Sequence, residues 1–112
     1  MEIGYTSEFK RNLRQLSRRY RSIRQDIETV ISKLESDETP GDQVGGVGYT
    51  VFKVRVKNSD NKKGKSGGYR VIYYLRTATH TTLVTVYSKS DQSDVESSEL
   101  QRIIRDYDSE KS

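Results

Sequence analysis

The sequence predicts a small α+β domain, an N-terminal helical hairpin packed on a mostly antiparallel sheet with a short C-terminal helix, in the order β-α-α-β-β-β-α. Three observations predict it. Phe9, Leu13, Leu16 and Tyr20 recur at spacings of four, three and four, and Ile23, Ile27, Val30, Ile31 and Leu34 resume a helical stripe after a tight joint. From Tyr49 onward the period changes to strand alternation in segments rich in Val, Ile, Thr and Tyr. Leu100, Ile103, Ile104 and Tyr107 then return to helical spacing.

Each element has its own signal. Glu2–Thr6 is short and β-prone, an edge strand. Ser7 is placed to cap the first helix, with Glu8 in the first turn where a negative charge suits the helix dipole. Ser22-x-x-Gln25 reads as a capping box for the second helix, which ends near Ser36 before Thr39-Pro40-Gly41. The stretch from Asp42 to Gly48 reads as a glycine-rich connection. Its Gly45-Gly46-Val47-Gly48 lacks the preceding strand and following helix that a dinucleotide loop requires. Strands are expected at Tyr49–Lys57, Tyr69–Arg76 and Thr81–Tyr87, the last two joined by a turn at Thr77–His80. Ser97 caps the final helix, and the helices are expected on one face of the sheet. Residues 1–107 read as a single domain and 108–112 as a frayed polar tail.

Charge is segregated along the chain. Residues 1–24 carry seven Lys or Arg against Glu2 and Glu8, and Lys53 to Arg76 holds eight basic residues against Asp60 alone. Residues 25–52 and 91–112 are net acidic. Such segregation favours a polyanion, above all nucleic acid, over a membrane surface. The chain has no cysteine, which excludes a disulfide framework, a thiolate metal site and a cysteine nucleophile. No apolar run approaches a membrane span, and Met1-Glu2-Ile3-Gly4-Tyr5 does not resemble a signal peptide, so a cytoplasmic protein without membrane contact is expected.

The chemistry centres on the first long strand. Alternation puts Lys53, Arg55 and Lys57 on one face and Phe52, Val54 and Val56 on the other. Three cations on one sheet face repel each other unless an anion sits over them. Lys62, Lys63 and Lys65 extend the charge into the following loop. Arg70, Tyr74, Tyr87 and Lys89 belong to the same candidate face, with Tyr74 and Tyr87 as possible stacking platforms for bases. Lys10, Arg11, Arg14 and Arg18 line the polar side of the first helix with few acidic neighbours at helical spacing. His80 is the one histidine, which excludes a histidine-pair ribonuclease, and no metal-ligand set or cofactor motif is recognisable. Asp91, Asp94, Glu96 and Glu99 read as acids favouring a helix start. Two readings stay open on the residues alone. One is a face that binds nucleic acid without chemistry, which composition favours. In the other, arginines grip a phosphate while a lysine crowded by cations takes the proton of a ribose 2′-hydroxyl.

Val51-Phe52-Lys53-Val54-Arg55-Val56 followed by Gly67-Gly68-Tyr69-Arg70-Val71-Ile72-Tyr73-Tyr74 resembles the RelE/ParE superfamily of toxin–antitoxin toxins. Asn61-Lys62-Lys63-Gly64-Lys65-Ser66, Arg19-Tyr20-Arg21-Ser22-Ile23 and Thr85-Val86-Tyr87-Ser88-Lys89 are similar to its HigB-type, RelE-like branch. The resemblance runs from Phe9 to Leu100. It implies a RelE-like fold and a ribosome-dependent endoribonuclease that cuts translated mRNA at the decoding site without a metal or cofactor, leaving a 2′,3′-cyclic phosphate. Catalytic positions carried over from the family fall on Lys53, Arg55, Arg70 and Lys89. The family's catalytic tyrosine matches Glu96 here, with Tyr87 a candidate substitute. Implied partners are a cognate antitoxin, the ribosome and mRNA, with operator DNA reached only through the antitoxin complex. A ParE-like gyrase poison would share the fold but lack these cations. A non-catalytic ribosome- or RNA-binding domain is the remaining alternative.

Overall fold

Alternating side chains put two separate apolar cores on opposite faces of one sheet, and that division positions everything else. The structure is a computed structural model and describes residues 1–61 and 67–111. Lys62, Lys63 and Lys65 lie outside the described residues. The elements run β1 (Glu2–Tyr5), α1 (Ser7–Ser17), α2 (Ile23–Glu35), β2 (Asp42–Val44), β3 (Val51–Val56), β4 (Tyr69–Leu75), β5 (His80–Ser88) and α3 (Ser97–Lys111). The five strands form one sheet in the order β1-β5-β4-β3-β2. Among the described residues only the β1–β5 pairing is parallel; the other pairings are antiparallel. The expected α+β class stands.

On one face, Phe9, Leu16, Ile23, Ile27, Val30 and Leu34 of the helical hairpin pack on Val54, Val56, Tyr69, Val71, Tyr73, Leu83 and Val86. On the other, Leu100, Ile103 and Ile104 of α3 pack on Val51, Ile72, Tyr74 and Val84. The helices therefore occupy both faces, not one. The apolar stripe of α3 does not say which side of a sheet it will cover; that depends on how the chain leaves β5.

Several local readings need correction. Thr6, not Ser7, caps α1: its hydroxyl accepts the Phe9 N–H at 2.9 Å while donating to the Val84 carbonyl at 2.6 Å. Ser22 holds the cap position of α2 without a side-chain cap bond, and its backbone N–H goes to Asp60 at 2.8 Å instead. The glycine-rich connection contains a further strand, β2, whose Asp42, Gln43 and Val44 oppose Lys53, Phe52 and Val51. Gly41 makes this possible, with φ +90° and a backbone so close to β3 that a Cβ would strike the Lys53 carbonyl. The polar residues from Asp108 continue α3 through Lys111. Asp108 accepts from Arg76 Nε at 3.0 Å and from the Tyr74 hydroxyl at 3.2 Å.

Candidate active site

The face covered by α3 at one end is cationic at the other. Strand pairing sets Arg55 directly opposite Arg70, and Arg70 opposite Tyr87, making one row across β3, β4 and β5. Lys53 stands one pleat away on β3, and Lys89 follows the last residue of β5, where its N–H donates to the Gly68 carbonyl at 2.9 Å. Gly68 is required there, because a Cβ would collide with the Val56 carbonyl. The four expected catalytic residues are thus brought together by ordinary sheet register. Directly opposed like charges repel across a sheet, so the Arg55–Arg70 pair makes this face attractive to an anion.

The members differ in freedom. Arg70 is only 6% exposed, and its guanidinium donates to the Tyr69 carbonyl at 3.2 Å. Arg55 and Lys57 are exposed, beyond the stretch of β3 that β2 covers, beside a groove shared with Asp26, Thr29, Lys33 and Pro40 of the hairpin side. Lys53 is half-buried, and its Nζ lies 3.3 Å from Asp94 Oδ1. Lys89 Nζ donates to the Ser93 carbonyl at 3.0 Å.

Asp94 is the residue that sequence reasoning missed. Its carboxylate accepts the Val95 N–H at 2.8 Å as well as Lys53. The Val95 N–H first, then Lys53 and Lys89, hold its carboxyl below the usual carboxylate range against an opposing effect of burial. Asp91 likewise pairs with Arg19 at 2.8 Å, so of the acidic run only Glu99 sits in the first turn of α3.

Tyr74 and Tyr87, expected to stack on bases, are buried. Tyr74 packs edge-on against Tyr49 beneath α3. Tyr87 is 5% exposed, and its hydroxyl has no partner of hydrogen-bonding geometry among the described residues. Burial first, then the nearby Asp94 carboxylate, push this phenol above its ordinary value, while Arg70 opposes them. Both tyrosines were placed on the correct face; what covers that face was not foreseen. His80 lies at the far end of β5, with Nε2 2.7 Å from Glu2. Among the described residues no three His, Asp or Glu side chains come together to hold a metal ion.

The second basic surface lies across the sheet. Lys10, Arg11 and Arg14 are exposed on α1 and Arg18 at its C-cap, with Arg11 paired to Glu8 at 2.5 Å. Arg19 rests over the Tyr20 ring at 4.9 Å while holding Asp91. No helix is long and apolar enough to cross a membrane among the described residues.

This fold and cation row coincide with a family match. The model of the RelE toxin of the RelE/RelB toxin–antitoxin system matches residues 5–107. The chain belongs to the RelE toxin family. As a RelE-family member it is the toxin of a toxin–antitoxin system, and an antitoxin is its partner. No curated relative matches the chain.

Proposed function

We propose that this RelE-family toxin is a ribosome-dependent, metal-independent mRNA endoribonuclease acting at the decoding site, with Lys53, Arg55, Arg70 and Lys89 as its catalytic residues. The observation that carries the reading is the row of Arg55 and Arg70 on one rigid sheet face, flanked by Lys53 and Lys89. A phosphodiester lying over that row meets forked donors from two strands, which match phosphate oxygens. The ribose 2′-hydroxyl gives its proton to a lysine of the cluster and attacks the adjacent phosphorus. The bond to the 5′-oxygen breaks as that oxygen takes up a proton from a protonated lysine of the cluster, leaving a 5′-hydroxyl and a 2′,3′-cyclic phosphate, and the arginines stabilise the charge gathered on the phosphoryl oxygens. Tyr87 is too enclosed to stack on a base, so nucleobases are held by the ribosome and not by this face. The ribosome thereby supplies the substrate orientation that four cations alone do not.

Controlled expression tests this reading. Translation should stop, and the 5′ ends of cut messages should fall in codon register next to cyclic-phosphate 3′ ends. Purified toxin should cut naked RNA poorly at physiological salt. DNA damage without mRNA cleavage would assign the protein to gyrase poisoning, and ribosome binding without new RNA ends would leave only a binding domain.

A further inference from the structure

The connector from β5 to α3, residues 89–96, crosses the end of the sheet to reach the cationic face. Almost nothing apolar holds it there. Ser90 to Asp94 are exposed, and Val95 is the first side chain to join the α3 core. Charge fixes it at two points: Asp91 to Arg19 at 2.8 Å, beside the α1–α2 joint, and Asp94 to Lys53 at 3.3 Å. Between them Lys89 Nζ holds the Ser93 carbonyl at 3.0 Å, and Gln92 Nε2 holds the Asp94 carbonyl at 3.1 Å. The Asp94 side chain is 65% exposed, so its ion pair with Lys53 is one that water and competing anions reach.

We propose that this connector is an anionic strap in which the Asp94 carboxylate occupies the place of a substrate phosphate at Lys53, and that a bound phosphodiester displaces it. The inference rests on reading this face as a phosphate site. The Lys53 ammonium has three donors, but a carboxylate and a phosphate brought together on it repel each other, so a bound phosphodiester disfavours Asp94 there. Exposed pairs of this kind are weak enough for a multiply contacted phosphodiester to outcompete. The second clasp lies on Arg19, where polyanion contacts to the basic helix side compete with Asp91. Docking by that side therefore loosens the strap from its other end.

The test uses the full chain and a short single-stranded RNA with 2′-O-methyl riboses, which cannot be cut by the proposed route. Asp94→Asn keeps an oxygen for the Val95 N–H and removes only the charge. It should tighten binding about three- to fivefold at fixed salt. Glu110→Gln, which removes an equal charge near the end of α3, should change it much less. In wild-type protein, saturating RNA should move the Val95 amide resonance towards its position in free Asp94→Asn. If Lys53→Ala weakens binding while Asp94→Asn matches Glu110→Gln, the phosphate face stands and the strap is wrong. Weaker binding by Asp94→Asn would overturn it too, making Asp94 a support that positions Lys53. If Lys53→Ala leaves binding unchanged, the reading of the face falls and the strap falls with it.

Discussion

Arg70 joins two properties that rarely meet in one side chain, a fixed charge and near-complete burial in the central strand of the sheet. A preorganised donor of this kind is worth about 10²–10³ in rate when it faces a developing oxyanion. Arg70→Ala should lower single-turnover cleavage of ribosome-bound mRNA by that factor while leaving antitoxin binding intact. Arg70→Lys should recover little, since it restores the charge without the fork. Undiminished codon-register cleavage by Arg70→Ala would remove it from the site. Lys53 and Arg55 were legible because strand alternation assigns them to one face, whereas Arg70 joins them through the antiparallel register of β3 and β4. Asp94 was not legible, because 41 residues separate it from Lys53. Their meeting depends on the side of the sheet to which the β5–α3 connector turns, and a polar loop without periodicity gives no sign of that.

At the scale of the elements, β4 and β5 concentrate enclosed phenols. Burial raises the pKa of Tyr69, Tyr73, Tyr74 and Tyr87 above the ordinary tyrosine value. The folded state then holds these protons more tightly than the unfolded chain does. Their contribution to stability is complete below about pH 10 and is lost as pH rises beyond it, where only the unfolded chain ionises freely. Alkaline titration should show part of the phenolate absorbance appearing in a cooperative step together with loss of far-ultraviolet circular dichroism. Smooth ionisation of every tyrosine near its ordinary value, with the fold intact, would contradict the burial described here. The helices and long strands were legible from period, since their apolar stripes are long enough to repeat. The three-residue β2 was not, because it is too short to alternate and is held in place by the close approach of Gly41 to β3. Thr6 replaced Ser7 as the cap because its hydroxyl serves two partners at once, one of them 78 residues away.

Over the whole molecule, basic charge is divided between a sheet face, the proposed seat of the scissile phosphate, and a helix face proposed to dock on the ribosome. Replacing Arg14 and Arg18 together with Ala should weaken ribosome association and reduce its logarithmic salt slope by about 1.4–1.8, the value for two lost phosphate contacts. Cleavage of message already bound should change little. A collapse of single-turnover cleavage at unchanged affinity would show that α1 is no docking surface. The overall class was legible from the order of periods, whereas the division of helices between two faces was set by the path of one connector. The parallel pairing of β1 with β5 also has a consequence in time. Glu2–Tyr5 leave the synthesising ribosome long before His80–Ser88, the strand they pair with, has been made. Closing so long a loop is entropically costly, and α1 has no β5 surface to settle on until then. A growing chain therefore carries its basic helix unseated and its cation row without Tyr87 and Lys89, and the site is assembled only once β5 has been made.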